Sequence, residues 1–281
     1  MDRIETLELH GQPALRLTSD SGASATLSLL GGQVLSWRTP DGCERLYLSD
    51  RADFSGATAI RGGVPICWPQ FAAQGRLPKH GLVRTRQWSV VETRAENGYA
   101  LATLSVTDDD TSHAAWPYAF ELELSVLVED NRLTVEFEAV NTGHGPFVFT
   151  GALHTYLRVA EVEEIRLEGL ANSEFRDKTR DGALRRDSGD HLAIDRETDR
   201  IYPGIENALL LRDQDRSLAI HAEGFPDVVV WNPWEAHCRD LPDMADTDFR
   251  RMLCVEAAAA TRPVELAAGE SWIGRQTLLA L

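Results

Sequence analysis

Hydrophobic and polar residues alternate with a period of two along much of this chain, most clearly between residues 120 and 139. Apolar side chains stand at positions 120, 122, 124, 126 and 128, separated by Glu121, Glu123 and Ser125. After the polar turn 129–132 the same pattern resumes and runs to Ala139. Because successive side chains of a strand point to opposite faces, this pattern predicts a long antiparallel hairpin with one buried and one hydrated face.

Strand-like runs continue along the rest of the chain. Shorter alternating runs are predicted to form strands at 26–30, 88–93, 99–106, 207–211 and 218–222. The apolar run 228–231 is typical of a strand buried on both faces. No stretch of twelve residues has helical periodicity with a cap at each end, so we predict an all-β fold, a large sandwich or barrel.

The organisation of the chain predicts one domain over residues 1–281. All-β sandwiches and barrels reach this length as single units, and no linker, repeat or low-complexity segment divides the sequence. The charged stretch 176–200 has the least pattern, and we interpret it as loops and irregular strands on the surface.

The charge balance limits the possible partners. With 28 basic and 44 acidic residues the net charge is -16, so nucleic acid and anionic membranes are repelled at long range. A small anionic substrate remains compatible because salt screens that repulsion, but its binding would require a local cluster of arginines.

Cysteines and terminal sequence favour a cytoplasmic protein without bound metal or cofactor. The four cysteines, Cys43, Cys67, Cys238 and Cys254, have no metal-ligand spacing and are expected to be free thiols. The first residues lack the apolar region of a signal peptide, and no segment approaches the roughly 20 apolar residues of a membrane span.

Five segments interrupt the alternation and carry residues suited to chemistry: 60–71, 77–84, 150–157, 231–234 and 253–257. Glu256, between Val255 and Ala257, is hard to explain structurally because carboxylates are rarely buried without a partner. His154 is by itself more typical of a hydrogen-bonded core histidine. Trp231 is interpreted as packing at a turn.

Motifs in four of these segments together resemble the aldose 1-epimerase superfamily, specifically its hexose-6-phosphate mutarotase (glucose-6-phosphate 1-epimerase) branch. They are Ile-Arg-Gly-Gly-Val-Pro from residue 60, Leu-Pro-Lys-His-Gly from 77, Leu-His-Thr-Tyr from 153 and Val-Glu-Ala from 255. The resemblance implies a galactose-mutarotase-type β-sandwich. It also implies a cofactor-free isomerase that interconverts the α and β anomers of a hexose 6-phosphate by ring opening and reclosure.

The resemblance also assigns roles to individual residues. Glu256 is expected to be the base that takes the C1 hydroxyl proton, and His154 the acid that protonates the ring oxygen. His80 is expected to hydrogen-bond the sugar near the reacting end. Asp199 is expected to hold a sugar hydroxyl, although its local sequence alone favours an ordinary surface acid.

Arginines are the expected phosphate ligands, since the fork of a guanidinium matches a phosphate. The resemblance places Arg61 and Arg84 in this role. Arg86 would share a face with Arg84 on a strand and is a weaker candidate, and the role of Lys79 is open.

Two other functions remain open from the sequence. One is an aldose 1-epimerase acting on unphosphorylated sugars, and the other is a carbohydrate-binding protein without catalysis. A metal hydrolase is disfavoured because no two histidines have ligand spacing, and a glycosidase because only one carboxylate is well embedded. We expect a monomer whose partner is a small sugar phosphate.

Overall fold

The computed structural model describes residues 3–281, and its strands, numbered β1–β21 in chain order, form three antiparallel sheets. The four strands of the first sheet are β1 (Ile4–Leu9), β2 (Gln12–Thr18), β3 (Ser24–Ser28) and β4 (Gln33–Arg38).

The second sheet will be called the site sheet. Its order is β14 (Ala183–Arg186), β13 (Glu174–Asp177), β16 (Thr198–Pro203), β19 (Asp227–Asn232), β20 (Met252–Leu266), β10 (Phe147–Leu153) and β5 (Ile66–Cys67), with β11 (Tyr156–Arg158) also paired to β20.

The third sheet has nine strands and covers the opposite side of the core. Its order is β15 (His191–Leu192), β12 (Arg166–Glu168), β17 (Leu209–Asp213), β18 (Arg216–Glu223), β21 (Ser271–Ala280), β9 (Arg132–Asn141), β8 (Phe120–Val128), β7 (Tyr99–Thr107) and β6 (Ser89–Glu96).

The hairpin that the alternation predicts is β8–β9 of the third sheet. The pairing runs from Phe120 opposite Asn141 to Val128 opposite Leu133, and every second side chain of β8 is buried. The shorter predicted strands are also present, as β3, β6, β7, β17, β18 and β19, each displaced by a few residues at its ends.

One hydrophobic core lies between the sheets. It includes Leu122 and Phe137 from the third sheet, Val230 and Val255 from the site sheet, and Leu27 from the first sheet. The two large sheets packed on a shared core confirm the predicted all-β sandwich.

Helical structure is brief, as expected. The two α-helices in the described residues have six residues each, α1 (Asp110–Ala115) and α2 (Trp234–Arg239), and 3₁₀ turns span Lys178–Arg180 and Asp248–Arg251. Between residues 3 and 281, none of the helices is long and apolar enough to cross a membrane.

The stretch 176–200 is more ordered than expected. It contains β14, β15 and parts of β13 and β16, and β13 and β16 extend the site sheet at one edge. Its polar composition hides this structure, most clearly in β14, an edge strand that is exposed along its whole length and has no apolar alternation.

Candidate active site

Glu256 lies in the buried first part of β20 in the site sheet, with its side chain on the face away from the core. Val255 and Ala257 point into the core between the sheets, so the alternation directs Glu256 to the other face, beside Val229 of β19. That face lines a pocket with about 700 Å³ of space not filled by protein atoms, counting its open mouth.

His154 follows β10 directly and faces Glu256 across the pocket floor. Its backbone N–H donates to the Pro65 carbonyl at 2.9 Å, which fixes the chain where the strand ends. Its Nε2 lies 3.3 Å from Oε1 of Glu256. The two residues that the sequence singled out are therefore adjacent.

Burial shifts both members of this pair toward their uncharged forms. Glu256 is 1% exposed, and burial followed by the nearby Asp199 carboxylate raises its pKa well above the usual range. Burial, then the neighbouring His80, Arg84 and Arg61, lowers the pKa of His154 well below its usual range. The pair thus holds one proton between two adjacent groups, the arrangement that acid–base chemistry at a single sugar requires.

His80 lies next to this pair, with its ring centroid 5.3 Å from that of His154. Its Nδ1 accepts a hydrogen bond from the Ala72 N–H at 3.3 Å. Burial and the Arg84 and Lys79 charges lower its pKa to about 2. The imidazole is therefore neutral, and its Nε2–H is free to donate into the pocket.

Four cationic side chains line the same pocket: Arg61, Lys79, Arg84 and Lys178. Arg61 is held on both sides, since Nε donates to Asp243 Oδ2 at 3.1 Å and Nη1 donates to the Tyr156 hydroxyl at 2.9 Å. Arg84 donates from Nη2 to the Lys79 carbonyl at 2.7 Å. An acidic protein thus concentrates positive charge at one cavity.

Asp199 and Trp231 form another part of the pocket wall. They are paired residues on β16 and β19, so their side chains share the face that carries Glu256. Burial raises the pKa of Asp199, against the opposing effect of Lys178 and Lys79. A carboxyl beside an indole face can hold sugar hydroxyls and a sugar's apolar face.

Comparison with known proteins identifies the family to which this chain is related. The model of the aldose 1-epimerase family matches residues 13–278. This chain belongs to that family. A protein from Cenchrus ciliaris that carries the provisional name glucose-6-phosphate 1-epimerase is 36% identical over 269 residues, covering 92% of this chain and 81% of that protein.

Solved structures of similar proteins agree with the fold described above. YeaD from Salmonella typhimurium, provisionally described as a mutarotase, has a TM-score of 0.92 and 28% identity, covering 100% of this chain and 94% of its own. A galactose mutarotase-like protein from Clostridium acetobutylicum, at 14% identity, shows the fold alone, with a TM-score of 0.80 over 99% of this chain and 98% of its own. The predicted family, galactose-mutarotase-type fold and isomerase class are confirmed.

All six residues that the resemblance assigned to the site line this one pocket of the aldose 1-epimerase fold: Arg61, His80, Arg84, His154, Asp199 and Glu256. Asp199 is not the surface loop acid that its local sequence favours, because it lies on β16 with its side chain facing the pocket. The individual catalytic and binding roles of the six remain predictions.

Two interpretations from the sequence are wrong. Trp231 does not pack at a turn but lies on β19 as part of the pocket wall. Arg86 does not share a strand face with Arg84, because residues 82–86 form bends and turns. Its guanidinium instead pairs with Asp109 at 2.7 Å, outside the pocket.

Three further residues at this site were missed. Tyr156 belongs to the recognised Leu-His-Thr-Tyr motif, and its position two residues after His154 was an available signal. Lys178 and Asp243 carried no local signal, since one lies in the unpatterned stretch 176–200 and the other in a loop far from Arg61 in sequence.

His154, Cys254 and Glu256 offer ligand atoms within 4.8 Å of one another, a cluster with metal-ligand chemistry. Zinc binds cysteine as the thiolate. Burial, followed by the Glu256 charge, raises the pKa of the Cys254 thiol well above its usual range, so the sulfur carries its proton. Without a bound metal, Cys254 therefore packs as a buried thiol beside the acid–base pair.

Proposed function

We propose that this family member interconverts the α and β anomers of a hexose 6-phosphate. The observation that carries the proposal is that four cationic side chains line the pocket that contains the His154–Glu256 pair, on a chain of net charge -16. Neutral sugars need no such charge, whereas a phosphate dianion does. The provisional name of the Cenchrus ciliaris relative supports the same substrate class.

The proposed reaction opens and recloses the sugar ring. Glu256 removes the C1 hydroxyl proton, His154 delivers a proton to the ring oxygen, and the C1–O5 bond breaks to give the open aldehyde. Rotation about C1–C2 and the reverse proton transfers then close the ring on the other face of C1. In the reactive form the proton shared by the pair lies on His154 and Glu256 is the carboxylate. Transfer of that proton across the 3.3 Å separation interconverts this form with the uncharged pair.

The phosphate is proposed to bind at the Arg61–Arg84 side of the pocket. A second recess continues there and shares Arg61, Arg84, His154 and Tyr156 with the main pocket. Lys79 and Lys178 add charge from the rim, and His80 and Asp199 are proposed to bind sugar hydroxyls.

The decisive measurement is anomerisation of glucose 6-phosphate and glucose side by side, by exchange NMR between the α and β forms. We expect a higher kcat/KM for the phosphorylated sugar. Arg84→Ala should lower kcat/KM for glucose 6-phosphate by about 10- to 100-fold, because a charge-assisted hydrogen bond contributes roughly 1.5–3 kcal/mol.

The matched control is Arg86→Ala, which removes a nearby arginine that is paired with Asp109 outside the pocket. This variant should leave kcat/KM for both sugars at the wild-type value. Equal rates on both sugars together with an inert Arg84→Ala would instead favour an epimerase of unphosphorylated sugars. A protein that binds sugar without exceeding the spontaneous rate would be a carbohydrate-binding module.

We also propose that the enzyme is a cytoplasmic monomer. The pocket is lined by residues of one chain, and Cys43, Cys67, Cys238 and Cys254 are all free thiols, as in reducing compartments. Sedimentation equilibrium tests the oligomeric state, and a dimer across the concentration range would contradict it.

A further inference from the structure

The imidazole of His154 lacks the hydrogen bond that usually orients a catalytic histidine. Its Nε2 faces Glu256, and its Nδ1 is buried without a hydrogen-bond partner among residues 3–281. In most histidine sites a bond at the second nitrogen fixes both the tautomer and the ring plane. Here the ring plane must be fixed by packing.

The closest parallel surface to this imidazole is the ring of Tyr156. The two centroids are 4.9 Å apart and the planes differ by 15°, whereas the rings of His80 and Trp231 approach edge-on at 5.3 and 6.1 Å. Tyr156 is itself 2% exposed. Its N–H donates to the Gly63 carbonyl at 2.8 Å, and its carbonyl accepts from the Tyr47 N–H at 3.0 Å.

The far end of the Tyr156 side chain is held by Arg61, at the proposed phosphate site. The hydroxyl accepts the 2.9 Å hydrogen bond from Arg61 Nη1, while Asp243 takes the Nε–H and lies 3.1 Å from Nη2. A guanidinium has five N–H donors, so these contacts leave at least two for an anion. An anion at Arg61 can therefore bind without displacing Tyr156.

We propose that Tyr156 is a positioning residue that fixes the imidazole plane of His154 and links it to the anion held by Arg61. The link rests on the proposed hexose phosphate function. It joins substrate recognition to the acid–base pair through one buried side chain, so that a bound phosphate immobilises Arg61, Tyr156 and His154 together. Binding energy at the phosphate is then used to orient the reacting group.

Tyr156→Phe tests the link, because it keeps the stacked ring and removes only the oxygen that contacts Arg61. We expect kcat for glucose 6-phosphate to fall about tenfold with little change in KM, within the 10²-fold that a 1 Å misplacement can cost. The rate for glucose should fall much less, because glucose places no anion on Arg61. Tyr156→Leu, which removes the aromatic ring, should lower the anomerisation rate of both sugars.

A spectroscopic measurement separates positioning from a merely structural role. Saturating wild-type protein with inorganic phosphate should shift the His154 ring C–H resonances in the NMR spectrum, and the shift should be largely lost in Tyr156→Phe although phosphate still binds by calorimetry. The matched control is Tyr47→Phe, a buried tyrosine whose hydroxyl donates to Asp248 and not to the pocket. It should behave as wild type.

Two results would overturn the link alone while leaving the hexose phosphate function intact. One is a Tyr156→Phe variant that slows both sugars equally or neither, and the other is an unchanged His154 response to phosphate in that variant. Wild-type protein that binds no inorganic phosphate and does not prefer the phosphorylated sugar would overturn both proposals.

Discussion

At the scale of single residues, Glu256 is a carboxyl that is costly to bury, with 1% of its surface exposed. One oxygen faces His154, and Oε2 has no hydrogen-bond partner within residues 3–281. A buried carboxyl without full pairing destabilises the fold, so its presence in the run 252–260 of β20, otherwise made of small and apolar residues, indicates a functional role.

Replacing this carboxyl should reveal that cost. Because the pKa of Glu256 is raised in the folded protein, the folded state is favoured as long as this carboxyl stays protonated, fully so below its unfolded pKa of 4.5. This contribution to stability is lost as the pH rises toward the folded pKa. Glu256→Gln removes the loss, so its free energy of unfolding relative to wild type should increase between pH 4 and pH 8. Urea denaturation across this range measures it, and anomerisation should fall by about 10²- to 10⁴-fold.

Glu8→Gln, on the exposed side of β1, provides the control for loss of a carboxyl outside the pocket, and it should leave anomerisation at the wild-type rate. A free-energy difference between Glu256→Gln and wild type that stayed constant with pH would contradict the raised pKa of Glu256.

At the scale of elements, the site depends on irregular backbone between strands as much as on the strands. His80 and Gly81 both have positive φ, at 67° and 81°. A Cβ added at Gly81 would lie 2.1 Å from the Trp68 carbonyl oxygen, closer than real atoms approach. Glycine at 81 thus allows the loop to pass against Trp68 and present His80 to the pocket.

Gly81→Ala should accordingly combine backbone strain with a collision. Gly98, in the turn between β6 and β7, is a matched control because its φ is +92° and nothing lies within 4 Å of an added Cβ. Gly98→Ala should cost about 1–3 kcal/mol of unfolding free energy, with normal activity. Gly81→Ala should cost more and lower kcat, since the loop must move and carry His80 with it.

Urea denaturation and the anomerisation assay compare the two variants directly. Equal losses of stability, with full activity in Gly81→Ala, would show that the loop accommodates the extra carbon and that the position of His80 is not set there.

At the scale of the whole molecule, the three sheets are joined by one continuous core. The first sheet contributes Leu15, Leu17 and Val34 to the same cluster as the inner faces of both large sheets. We propose on this basis that residues 1–281 form one domain, Met1 and Asp2 lying outside the described residues. The pocket itself is assembled from segments across most of the chain, so it forms only with the complete sandwich.

One cooperative unfolding transition is the expected consequence. Tryptophan fluorescence and far-ultraviolet circular dichroism should give coincident denaturation curves, and binding of inorganic phosphate should be lost in the same transition. Separate midpoints, or a phosphate site that survives loss of the first sheet, would show that the chain contains more than one folding unit.

The sequence by itself determined the all-β class, the β8–β9 hairpin and the anomaly of Glu256, because period-two alternation and the cost of a buried charge are local properties. The family motifs added the other five site residues. Only the tertiary structure decided that Lys178 and Trp231 line the pocket, that Asp243 pairs with Arg61 beside it and that Arg86 pairs instead with Asp109. Those outcomes depend on strand pairing between distant segments and on loop backbone such as His80–Gly81, which no local pattern encodes.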